Sequence, residues 1–108
     1  MAGKEYEYLF EVVSKQGKRI HVTNDYWDVI SSKKHPSVVN MVNEARLALT
    51  DPFEVRISRQ DANVFLYYRK LNGKFICTVV KHLNSDGFVI TVYTTNKIKR
   101  GEVLWRKS

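Results

Sequence analysis

Residues 53–95 read FEVRISRQDANVFLYYRKLNGKFICTVVKHLNSDGFVITVYTT, and apolar and β-branched side chains return at about every second position through four runs. A period of two is the mark of strands, whose successive side chains point to opposite faces. The runs FEVRIS, NVFLYYRKL, KFICTVVKHL and FVITVYTT are separated by RQDA, the Asn72-Gly73 pair and NSDG. Asn-Gly between two β-rich runs favours a two-residue hairpin turn with positive φ at both central residues, and Asp86-Gly87 offers a second turn of the same kind. Connections this short force antiparallel neighbours, so the four runs are expected to form a meander in chain order.

Upstream the pattern differs. Residues 6–13 (YEYLFEVV) and 19–23 (RIHVT) flank SKQGK, where Gly17 suits a turn, and read as a hairpin. Thr23 or Asn24 can cap a first helix, with Asp25 and Asp28 favourable near its start and Tyr26, Trp27 and Ile30 on its apolar side. Pro36 fits the first turn of a second helix. From there Val38, Val42, Ala45 and Leu49 recur at helical spacing until Asp51 and Pro52 end the segment. The expected fold class is α+β: an N-terminal β-hairpin and two helices packed on one face of a four-stranded antiparallel sheet.

At 108 residues with 44% hydrophobic side chains, the chain has the size of a single domain with one core. No apolar run reaches the roughly 18 residues of a membrane span, and no signal-peptide pattern opens the chain, so the expected setting is cytoplasmic without membrane contact. Cys77 is the single cysteine and is expected to be buried; no Cys/His spacing matches a metal site, and no cofactor is expected.

The net charge is +7. Residues 1–61 hold nine basic and nine acidic side chains, whereas residues 62–108 hold nine basic ones against Asp86 and Glu102 alone. Such an excess attracts polyanions, and RNA is the expected partner. Solubility alone is the plainer reading of the lysine-rich end.

Pairing through Asn72-Gly73 sets Tyr68 opposite Cys77, Leu66 opposite Val79, Tyr67 opposite Thr78 and Phe65 opposite Val80. A tight turn at Asp86-Gly87 would set His82 opposite Thr91 and Val80 opposite Tyr93. Leu66, Cys77, Val79, Ile90 and Val92 then face the helices. The open face carries Tyr67, Arg69, Thr78, His82, Thr91 and Tyr93, joined by Arg56 and Ser58 from the first run. Such a face can stack bases, neutralise phosphate and move protons, which is what RNA cleavage by a neighbouring 2′-hydroxyl requires without a metal. A solvated sheet face built from good strand formers has the same composition. Strict alternation sends Lys81 to the core side beside Val79, in conflict with a role at the phosphate. His21 follows Arg19, and His35 follows Lys33 and Lys34, so each histidine has cations beside it.

The succession RIHVTNDYWDVI, KKHP before a helix, DPFEVR (51–56), VVK (79–81) and DGFVITVY (86–93) resembles small bacterial and phage domains grouped with the barnase, EndoU, colicin and RelE ribonucleases. The resemblance implies RNA bound across the exposed sheet face and a toxin-like endoribonuclease, with a cognate antitoxin or immunity protein as a further partner. Carried onto this chain, it marks Arg56, Tyr67 or Tyr68, Lys81 and Thr91, with His21 and His35 near the start. The combined catalytic set is Arg56, Tyr67, Lys81, His82, Thr91 and His35; the substrate-binding set is His21, Lys33, Lys34, Ser58, Arg69, Thr78 and Tyr93. The alternatives are a non-catalytic RNA or single-stranded nucleic-acid binding module, and a degenerate member that acts by docking another protein.

Overall fold

A computed structural model describes residues 7–99 and 101–108. The hairpin position expected at Tyr6 lies outside the described residues. Seven strands form one mixed sheet: β1 (Tyr8–Val13), β2 (Arg19–Thr23), β3 (Glu54–Ile57), β4 (Val64–Lys70), β5 (Phe75–His82), β6 (Asp86–Thr95) and β7 (Glu102–Arg106). Their order is β1-β2-β6-β5-β4-β3-β7. The expected four-stranded antiparallel sheet is therefore corrected. The meander β3 to β6 exists, but β2 pairs parallel with β6 and β7 pairs with the outer side of β3. The short-turn rule places only neighbours in sequence; it is silent on a hairpin that joins the same sheet after two intervening helices.

The helices are shorter than the apolar pattern suggests. Helix α1 spans Asn24–Val29 and runs into a π-helical turn at Ile30–Lys34. The Thr23 hydroxyl caps it by accepting from the Tyr26 amide at 3.1 Å. The segment expected as one helix from Pro36 divides into a 3₁₀ turn at Pro36–Val38 and helix α2 at Val42–Thr50. Val38, Ala45, Ala48 and Leu49 are nonetheless all buried, so the apolar stripe survives the break.

Both ends of the sheet bend round α2. The β1–β2 turn reaches Leu49 through the Lys15 amide at 2.8 Å, and the Lys15 ammonium lies 4.8 Å from the ring of Trp105 on β7. The concave face thus encloses the main core, which holds Ile20, Val22, Val55, Tyr67, Ile76, Val80, Val89 and Val92 together with Trp27, Ile30, Val38 and Leu49. The convex face carries a second, smaller cluster of Leu66, Tyr68, Cys77 and Val79.

This exchanges the two faces relative to the sequence expectation. The β4–β5 register agrees pair for pair, with Leu66 opposite Val79 and Tyr67 opposite Thr78. The helices, however, cover the Tyr67 side. Both faces of this hairpin are largely apolar, so alternation separates them without saying which one α2 takes. The β5–β6 register also differs: His82 pairs with Gly87 and Val80 with Val89. Leu83 donates to the Asp86 carbonyl at 2.7 Å, so the chain reverses at Asn84 and Ser85, and Asp86-Gly87 already belongs to β6. Among the described residues only glycines have positive φ, and at the Asn72-Gly73 turn that residue is Gly73 (80°), so the turn is not of the kind with two positive φ values.

Beyond Val89 the ladder slips by one residue, because Val79 pairs with Thr91. Ile90 is the extra residue of a β-bulge. Its carbonyl accepts from the Tyr26 hydroxyl at 2.8 Å and the Lys34 ammonium at 3.3 Å. The bulge reverses the alternation, so Thr91 and Tyr93 join Val79 and Cys77 on the convex face while Val92 stays in the main core.

Candidate functional site

The convex face holds a recess of about 670 Å³ lined by His35, Ser58, Arg59, Gln60, Val64, Leu66, Val79, Thr91, Tyr93 and Lys99. Its floor is apolar, from β4 and β5. The β6 bulge supplies the Thr91 and Tyr93 wall, and connecting segments supply the polar rim. Function carried by loops on a rigid sheet is the usual arrangement.

Each rim residue has a local cause. The β3–β4 connection is pinned by two side-chain turns: Ser58 Oγ accepts from the Gln60 amide at 3.2 Å, and Asp61 Oδ1 accepts from the Asn63 amide at 2.8 Å. Arg59 and Gln60 are left exposed between them. His35 sits where the π-helical turn meets the 3₁₀ turn; its amide donates to Ile30 at 2.8 Å and its carbonyl accepts from Val38 at 3.1 Å. Pro36 keeps the preceding residue out of helical geometry, which ends the helix at this point.

Lys99 is held at both ends of its peptide unit. Its amide donates to the Tyr68 hydroxyl at 3.0 Å, and its carbonyl accepts from Arg56 Nη1 at 3.2 Å. Its ammonium lies 5.5 Å from the Tyr93 ring centre, within cation–π range. The His35 ring approaches the same tyrosine at 5.7 Å. Burial, followed by the neighbouring Cys77 thiol, drives the Tyr93 phenol far above the usual tyrosine range, so it stays protonated. Among the described residues no carboxylate pairs with Arg59 or Lys99. Thr91 Oγ1 is buried without a hydrogen-bond partner among them.

The sequence-expected residues divide into three groups. Ser58, Thr91, Tyr93 and His35 meet in the recess. Tyr67, Thr78 and His82 lie in the core beneath the opposite face. Tyr67 is fully buried and donates to Ser14 Oγ at 2.9 Å, and its hydroxyl is 3.0 Å from His82 Nε2. Burial pushes the Tyr67 phenol up to about 12. Thr78 donates to the Ala45 carbonyl at 2.9 Å, tying β5 to α2. His82 stacks on Phe65 at 3.8 Å, and burial, helped by the Lys18 charge, lowers its pKa to about 4.

The third group is basic, and most of it is engaged. Arg56 and Arg106 both bond the buried carboxylate of Glu54, whose two partners outweigh burial and hold it below the usual carboxylate range. Arg69 pairs with Asp51 at 3.0 Å and Lys81 with Asp61 at 2.7 Å. Lys81 does share the Val79 face, but that face is the open one, which removes the conflict between its register and solvent access. Lys34 bonds the Tyr26 hydroxyl at 3.0 Å; Lys33 is exposed on the same turn; His21 stacks under Tyr8 at 4.6 Å in a different part of the convex face. Sequence reasoning missed Arg59, Gln60 and Lys99, the rim cations and their neighbour; a turn between strands and a basic tail were their signals.

No family model, curated protein or solved structure matches this chain. The site's own geometry therefore carries the functional reading. Among the described residues no helix is long and apolar enough to cross a membrane, and no group of three or more His, Cys, Asp or Glu side chains is placed to hold a metal ion.

Proposed function

We propose that this protein binds single-stranded RNA in the convex-face recess. One observation carries the reading: a recess of about 670 Å³ joins an apolar floor of Val64, Leu66 and Val79 to the cations Arg59 and Lys99, which meet no carboxylate among the described residues. A base can lie on the floor while its phosphate meets the rim, and the exposed Gln60 amide is at hand for the polar edge of the base. The open convex face leaves room for a chain to enter and leave.

Fluorescence anisotropy with a labelled single-stranded RNA tests this. Arg59→Ala and Lys99→Ala should each weaken binding about fivefold or more at moderate salt, as expected for loss of a charge-assisted phosphate contact. Equal affinity for both variants and the parent sinks the reading.

Cleavage is the second reading, favoured by the placement of His35 at the recess beside Tyr93 and Lys99. Histidine can exchange a proton with the 2′-hydroxyl or the leaving oxygen, while Lys99 and Arg59 stabilise the charge on the phosphate. RNA incubated with the protein in EDTA and resolved on a denaturing gel decides it. Products ending in a cyclic phosphate, lost in His35→Ala, would establish a ribonuclease; intact RNA at saturating protein would leave a binding module.

A further inference from the structure

A second recess of about 290 Å³ opens where β2 and β6 part, lined by His21 and Phe88 from the convex face and by Val22, Thr23, Tyr26 and Val89. Its neighbourhood to the first follows from the register. Val79 lines the first recess; two residues along β5, Lys81 projects from the same face and pairs with Phe88, which in turn pairs with His21 on β2. Two residues of strand advance only about 7 Å. Lys34 bridges the gap: its ammonium bonds the Tyr26 hydroxyl, which lines the second recess, and the carbonyl of Ile90, next to Thr91 of the first.

The second recess is aromatic where the first is cationic. Phe88 is 40% exposed and Tyr8 is 45% exposed, large apolar areas for a chain of net charge +7. Tyr8 lies flat on His21, their planes 17° apart, which makes a stacked platform at the sheet edge. Glu11 pairs with His21 across β1 and β2, so a carboxylate stands beside the platform. That placement disfavours a phosphate there and favours the uncharged face of a base, with the phosphate left toward Lys34.

We propose that the platform of Tyr8, His21 and Phe88 is a second base-stacking subsite, and that one RNA strand runs from the Arg59–Lys99 recess past Lys34 onto it. The inference rests on the RNA-binding reading of the first recess. It deepens that reading by making the ligand a segment of several nucleotides rather than a single one. Base–aromatic stacking is tolerant of sequence, so the second subsite adds affinity for length and little base preference.

Anisotropy titrations compare a labelled RNA of about eight nucleotides with a labelled dinucleotide that fills the first recess alone. Tyr8→Ala and Phe88→Ala should weaken the longer RNA about tenfold and leave the dinucleotide unchanged, while Phe88→Trp keeps the longer RNA tight. Variants that bind both ligands like the parent overturn the second subsite yet spare the first. Variants that weaken both ligands equally also overturn it, since such a loss reports folding. A parent that binds neither RNA fails at the first recess and takes this inference with it, an outcome separable from the other two.

Discussion

At the residue scale, His82 shows how a side chain with catalytic credentials becomes structural. It is 6% exposed, stacked on Phe65 and within hydrogen-bond distance of Tyr67, and its pKa is lowered from 6.5 to about 4. A histidine depressed in the folded state binds its proton more readily when unfolded, so acid favours unfolding. The stability held by neutral His82 is complete above about pH 6.5 and is lost progressively as pH falls toward 4. Between about pH 6.5 and pH 5, before most carboxylates titrate, the loss should be about 2 kcal/mol at 1.36 kcal/mol per pKa unit. Urea unfolding of the parent across that window should show the decline, and His82→Gln should flatten it. A parent curve as flat as the variant's would show that burial does not lower the ring's pKa in the fold. Legibility at this scale was uneven. Tyr67, Thr78 and His82 alternate as expected and share a face, but polar tips on that face are satisfied internally by Ser14, the Ala45 carbonyl and one another.

At the element scale, the strand runs, the β4–β5 register and the Thr23 cap were readable because each depends on residues close in sequence. The face covered by α2, the parallel β2–β6 contact and the bulge at Ile90 depend on partners far away, which no local period contains. The bulge matters most, since without it Thr91 and Tyr93 would turn into the main core and the recess would lose a wall. Gly87 marks the other end of the same strand. A Cβ there would stand 2.2 Å from the Lys81 carbonyl oxygen and 3.1 Å from Ile20 Cδ1, so the glycine serves the close approach of β5, β6 and β2 rather than the turn suggested by Asp86-Gly87. The atom in the way is backbone and cannot swing aside. Gly87→Ala should therefore destabilise the fold by about 2 kcal/mol, within the range of steric core substitutions. Chemical denaturation measures it; an unchanged midpoint would mean that the strand ends separate freely.

At the scale of the whole molecule, folding pairs four cations of the later part of the chain with carboxylates of the earlier part, while the net charge of +7 remains. Arg69 and Lys107 meet Asp51, Lys81 meets Asp61 and Arg106 meets Glu54, each pair joining a cation of the later part to a carboxylate of the earlier one. Of the cations that meet no carboxylate among the described residues, Arg59, Lys99 and Lys34 lie along the convex face. A diffuse surplus and a localised track attract RNA differently, and salt separates them. Each phosphate neutralised by a single-stranded ligand contributes about −0.7 to the slope of log affinity against log salt. Three such contacts give a slope of about −2, and Arg59→Ala combined with Lys99→Ala should reduce its magnitude by about 1.4. Lys74→Ala, at the exposed end of the β4–β5 turn, serves as the control: it removes one unit of net charge without touching the track, so its slope should match the parent's. If the double variant keeps the parent's slope, RNA is held by the general surplus and the convex recess is not where it binds.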